Sequence, residues 1–151
     1  MHQRPRYELA TIKQKLVYYL HSNSFDLDNH FYYYSYPKPV FGLNACTTLA
    51  DKIAEQPDDS YIGLRSVYCF CEHKKSMSWR TQTIAKLEKL PWPGLEEEIN
   101  QLNAASDMIL NLCIKYNNTK NAASKKKVVN RIRSLVEQEK RLIERLLRDL
   151  N

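Results

Sequence analysis

The chain has 151 residues, of which 43% are hydrophobic, 26% are charged and only three are glycine, and its net charge is +6. This is the composition of a globular chain, and the length suits one domain with a sizeable core. The sequence contains no run of 18 apolar residues that predicts a membrane span, and no apolar segment after Met1 that predicts a cleavable signal peptide. The positive charge is compatible with an acidic protein, nucleic acid or anionic lipid as partner. It divides evenly, +3 before Leu90 and +3 after it, which disfavours a dedicated nucleic-acid arm.

The first ninety residues predict four or five shorter helices. The first covers 6–21, where Leu9, Ile12, Leu16 and Leu20 recur at helical spacing. A second covers 44–56, with Asn44 as the N-cap and Pro57 as the stop. We therefore expect a compact part over residues 1–90.

Two further helices are expected before the middle of the chain. The first has its apolar positions between Ile62 and Cys71 and runs to about Lys74, after a cap in the segment 58–60. The second begins at Ser76 or Ser78. Its inward-facing residues are expected to be Trp79, Thr83, Ile84, Leu87 and Leu90.

Residues 31–41 form a tyrosine-rich segment that we expect to be a loop. Prolines at positions 37 and 39 favour extended or polyproline II backbone just before each of them. Tyrosine is enriched at protein interfaces, so this segment is a candidate partner-binding edge. The equally acceptable alternative is a loop that packs over the helices with its hydroxyls in water. The candidate binding residues are Tyr32, Tyr33, Tyr34, Tyr36 and Lys38.

The clearest break in the chain is Pro91-Trp92-Pro93-Gly94, after which neither proline nor glycine occurs. The pattern after it predicts a helix over 95–116, a polar turn over 117–121 and a final helix over 122–151, which together form a long αα-hairpin at 95–151. The final helix has one apolar stripe, and the helix 95–116 is its expected partner. An open face of this hairpin could also pair with a second copy of the chain. The prediction is thus an all-α fold of one domain, 1–151.

A basic patch on the final helix is the candidate for nucleic-acid binding. Its residues are Lys125, Lys126, Lys127 and Arg131, and a row of cations is what phosphate contact requires. Glu137, Glu139 and Glu144 interrupt the cations further along the helix, which favours a solvated face instead.

Cys69 and His73 are the candidate for metal or thiol chemistry. They lie four residues apart and share a helical face, whereas Cys71 points nearly the other way. Zinc requires about four convergent ligands, and this spacing fits no established zinc pattern. A nucleophile–base pair is geometrically possible, but no thiol-enzyme signature surrounds it. Buried structural cysteines without disulfides are the simpler interpretation, and we expect no cofactor, no metal and no catalysis.

The C-terminal tail carries Glu137, Glu139 and Glu144, followed by Leu147 and Leu150. In this tail and in its asparagine-, lysine- and tyrosine-rich composition the chain resembles small effectors that intracellular bacterial pathogens deliver by type IV secretion. The resemblance implies a host-protein partner, and either a cytoplasmic location or secretion into a host cell without a cleavable signal peptide. The expected function is a non-catalytic protein-protein interaction module. A nucleic-acid binder is the first alternative, and a cysteine-dependent enzyme or zinc protein is the second.

Overall fold

The computed structural model describes residues 7–22, 40 and 42–151, and within these residues it contains five α-helices and no strand. The helices are α1 (Leu9–Leu20), α2 (Gly42–Glu55), α3 (Leu64–Leu87), α4 (Leu95–Thr119) and α5 (Ala122–Asp149). The predicted all-α class is confirmed. Apart from Val40, the predicted tyrosine-rich loop 31–41 lies outside the described residues.

Helices α4 and α5 form the predicted hairpin, but with a shorter turn than expected. Helix α4 continues through Thr119, so that only Lys120 and Asn121 connect it to α5. Lys120 adopts a left-handed conformation with φ 52°, and its N–H donates to the Tyr116 carbonyl at 2.7 Å. The side chain of Asn121 accepts from the Ala123 N–H at 2.9 Å and caps α5. This two-residue connection returns the chain antiparallel to itself.

Helix α5 is the central element of the described fold. Its 28 residues extend about 42 Å, and one stripe along it is buried. The stripe packs against the predicted partner α4, but α2 covers as much of it, and α1 and α3 also contact the helix. The buried apolar residues are Val128, Val129, Ile132, Leu135, Val136, Leu142, Ile143 and Leu146.

One continuous helix, α3, replaces the two helices expected over 62–90. No break occurs at Ser76 or Ser78, and Ser78 is buried inside the helix. A serine in a helix interior loses only about 0.5 kcal/mol relative to alanine, which burial of residues such as Phe70 and Ile84 outweighs. The expected inward positions of Trp79 and Leu87 are wrong, because both side chains are exposed.

Helix α2 begins at Gly42, two residues before the predicted N-cap Asn44. The Asn44 N–H instead donates to the hydroxyl oxygen of Ser22, outside the helix, at 2.9 Å. Gly42 has φ +56°, and a Cβ there would collide with the backbone carbonyl oxygen of Tyr19. Glycine therefore permits the start of α2 to lie against the end of α1, a tertiary contact that local capping rules do not include.

Candidate functional site: a groove between α1 and α3

Helices α1 and α3 run antiparallel and leave a groove between them. At one end, Tyr7 just before α1 meets Glu88, which follows α3. The Tyr7 hydroxyl donates to the Glu88 carboxylate over 2.8 Å. At the other end the rings of Tyr19 and His73 lie 5.6 Å apart. The groove has a volume of about 690 Å³. Helix α1 packs on α2 and α5 whereas α3 packs chiefly on α4, so the two walls are supported from different sides.

The walls of the groove are mostly apolar. The α1 wall consists of Tyr7, Ile12, Lys15, Leu16, Tyr18 and Tyr19, and Gly42 of α2 lies beside it. The α3 wall consists of His73, Met77, Trp79, Arg80, Thr81, Thr83, Ile84 and Leu87. Trp79 is 64% exposed, Leu87 57% and Tyr7 46%. Single exposed apolar residues are ordinary, but large ones gathered along one concavity are typical of binding sites.

A buried polar cluster supports the Tyr19 end of the groove. The Lys74 ammonium forms an ion pair with Glu139 of α5, and their side chains are 2% and 3% exposed. Lys74 also donates to the Tyr19 hydroxyl at 2.7 Å, and that hydroxyl donates to the same Glu139 oxygen at 2.7 Å. The Phe70 ring lies 5.2 Å from the Lys74 ammonium, at cation–π distance. The cluster thus ties both walls of the groove to α5.

Protonation of the aromatic side chains at this end follows from that cluster. Burial, followed by the charge of Glu139, raises the pKa of Tyr19 far above the ordinary phenol value, so the hydroxyl stays a neutral donor. Partial burial and then the neighbouring Lys74 cation lower the pKa of His73 below its ordinary value. On α3 the groove lining includes the exposed Arg80. No aspartate or glutamate lines the groove within the described residues.

The candidate cysteines for metal or thiol chemistry are divided between the surface and the core. Cys69 is exposed, whereas the Cys71 thiol lies 3.2 Å from the Ser106 carbonyl oxygen in the core. Burial raises the pKa of Cys71 to about 11 and that of Cys113 to about 12, which keeps both thiols neutral. In the part of the chain that the structure describes, no three His, Cys, Asp or Glu side chains are placed to hold a metal ion.

The predicted basic patch is only partly at the surface. Lys126, Lys127 and Arg131 are exposed. Lys125 does not belong to the patch, because it is 6% exposed and its ammonium donates to the Gln56 carbonyl and pairs with Asp58 at 3.1 Å. Lys125 thereby fixes the connection between α2 and α3 to the start of α5.

The candidate binding residues Tyr32, Tyr33, Tyr34, Tyr36 and Lys38 lie outside the described residues, so they stay a prediction. Sequence reasoning missed the groove, although a signal for it was present. At about 100° per residue the buried residues of α3 fall in one arc, and Trp79 and Leu87 fall outside that arc. Because the prediction assigned two helices instead of one, it did not place Trp79 and Leu87 relative to the buried arc of the whole helix.

Two further findings do not concern the groove itself. Among the helices of residues 7–22 and 42–151, none has both the length and the apolar character needed to cross a membrane. Comparison with protein-family models, with curated proteins and with solved structures found no match.

Proposed function

We propose that this protein is a non-catalytic protein-binding module whose α1–α3 groove holds a segment of a partner protein. The observation that carries the proposal is the exposure of Trp79 and Leu87 along a concavity of about 690 Å³. The residues that dominate binding energy at protein interfaces are enriched in tryptophan, tyrosine and arginine. Trp79, Tyr7 and Arg80 all line the groove. These side chains are available without unfolding any helix.

The nucleic-acid alternative has weaker support. Lys125 is buried, and Arg133, on the same helix, pairs with Asp51 at 2.8 Å. Both facts shorten the row of cations that could contact successive phosphates. The exposed aromatic side chains of the groove, Tyr7 before α1 and Trp79 on α3, belong to other elements than the cations of α5. A single-strand binder combines aromatic side chains and cations in one channel.

The resemblance to type IV-secreted effectors bears on where the partner is to be sought. Such effectors act on host proteins, so extracts of both the native cell and a host cell are suitable sources. Of the tail glutamates behind the resemblance, Glu139 also has a structural role, since it pairs with Lys74 in the core.

Site-specific photo-crosslinking tests the proposal. A benzophenone amino acid in place of Trp79 should crosslink to one defined segment of one partner protein, identified by mass spectrometry. The matched control places the same probe at Met108, an exposed apolar residue of α4. We expect Leu87→Ala to abolish the crosslink from position 79 and Met108→Ala to leave it unchanged. Equal crosslinking from both positions, or no effect of Leu87→Ala, would contradict the proposal.

A further inference from the structure

The walls of the groove restrict the conformation of any segment that enters it. Both walls are helices, whose backbone N–H and C=O groups are already bonded within each helix. They present no strand edge to which an extended peptide could add. Each backbone polar group that an extended segment buried against the apolar parts of the walls would lack a partner, at a cost of about 1–3 kcal/mol per unsatisfied group. A helix satisfies its backbone internally and avoids this penalty.

The geometry of the lining also matches a helix. On α3 the lining includes His73, Met77, Arg80, Ile84 and Leu87, which follow one another at intervals of three or four residues. They form a ridge about 21 Å long, which equals about four turns of a partner helix. The α1 wall supplies a second ridge through Ile12, Leu16 and Tyr19. Two such ridges can hold a third helix between them, as in ordinary helix packing.

The charge of the groove favours one class of amphipathic helix over another. The exposed Arg80 lines it, and no carboxylate does so within the described residues. Glu88, beyond the end of α3, accepts the hydrogen bond of Tyr7. Acidic side chains beside the apolar anchors of a partner would therefore meet a complementary potential, and basic side chains would be repelled.

We propose that the groove binds an amphipathic helix of a partner protein, about four turns long, with acidic residues flanking its apolar anchors. This inference rests on the protein-binding function proposed above and specifies the kind of segment that is bound. The apolar anchors would cover Trp79 and Leu87, and the acidic residues would lie near Arg80 at the rim.

Calorimetric titration of the full chain with synthetic peptides tests the inference. The probe is a helix-forming peptide of about 16 residues, with leucines at i, i+4, i+7 and i+11 and glutamates beside them. Three controls differ in one property each. The first has the same composition with its leucines dispersed around the helix, the second has lysine in place of every glutamate, and the third has two prolines in its middle.

We expect the acidic amphipathic peptide to bind, and the dispersed and proline-containing peptides to lose binding. The lysine peptide should bind at least about fivefold more weakly. Arg80→Glu should reverse this preference, whereas Arg141→Glu, on the exposed face of α5, should leave it unchanged. Arg80 and Arg141 are both exposed, and circular dichroism verifies that each variant is folded.

Other outcomes identify what is wrong. Tight binding of the proline peptide, or no response of the charge preference to Arg80→Glu, would overturn the inference. If position 79 still crosslinks to a partner in that case, the proposed function stands and only the kind of segment is wrong. If Trp79 is protected from acrylamide quenching in the free protein, or if a concentration-dependent dimer disappears in Trp79→Ala, the groove is covered by this chain or by a second copy. Either result would overturn the inference that a helix of a partner protein occupies the groove.

Discussion

The α4–α5 hairpin and the α1–α3 groove place similar side chains in opposite environments. In the hairpin, isoleucines and leucines at helical spacing are almost completely buried, as Ile109 and Ile143 illustrate. In the groove, Trp79 and Leu87 lie on an equally regular helix and remain exposed. Helical spacing therefore reports the presence of a helix and leaves open which of its faces another element covers. The two regions meet at Lys74 and Glu139, where the groove is joined to α5.

The largest expected effect comes from breaking that junction. Lys74→Met leaves the Glu139 carboxylate buried without its cation, which should lower the free energy of unfolding by about 3–5 kcal/mol. Adding Glu139→Leu removes the unpaired charge and should restore most of the loss. Urea denaturation measures all three proteins. Lys75→Met is the matched control, because Lys75 pairs with Asp107 at the surface and should contribute about 1 kcal/mol or less. A double variant less stable than Lys74→Met would contradict this account.

A second experiment compares an interior position with an exposed one by the same substitution. Ile143→Ala opens a cavity in the fully buried stripe of α5 and should destabilise the protein by about 2–5 kcal/mol. Ile114→Ala on α4 changes an exposed side chain and should stay within about 0.5 kcal/mol of the original stability. Leu87→Ala should behave like Ile114→Ala in urea denaturation while losing the groove crosslink. A large destabilisation by Leu87→Ala would mean that the groove is part of the core.

The third expected effect is a loss of stability that appears only at alkaline pH. Burial raises the pKa of Cys71 to about 11 and of Cys113 to about 12, from an ordinary value of 9.0. The folded state keeps protons that the unfolded state releases, so this stabilisation is complete below pH 9 and is lost as the pH rises towards 11–12. The urea midpoint of the double variant, Cys71→Ala with Cys113→Ala, should therefore fall less steeply with rising pH than the midpoint of the unsubstituted protein. Cys69→Ala, at an exposed position, should keep the original slope.

Local rules determined most of the architecture. The break at Pro91–Gly94, the apolar periods of α4 and α5 and the polar residues between them predicted a hairpin that the structure contains. They failed where a contact from another element decided the outcome. The Asn44 N-cap was wrong because Ser22 supplies the hydrogen bond, and the break near Ser76 was wrong because packing holds α3 continuous.

The sequence by itself determined which residues of α5 share one helical face, and that face includes a charged residue. Lys125 lies three, four and seven residues before Val128, Val129 and Ile132, which places it on the buried stripe of α5. Only the tertiary structure decided that Asp58 and Gln56 would meet its ammonium, and that Glu139 would meet Lys74. Those partners are 65 to 69 residues away along the chain. The groove arose in the same way: helix periodicity is local, whereas an uncovered helix face depends on how separate elements pack around α5.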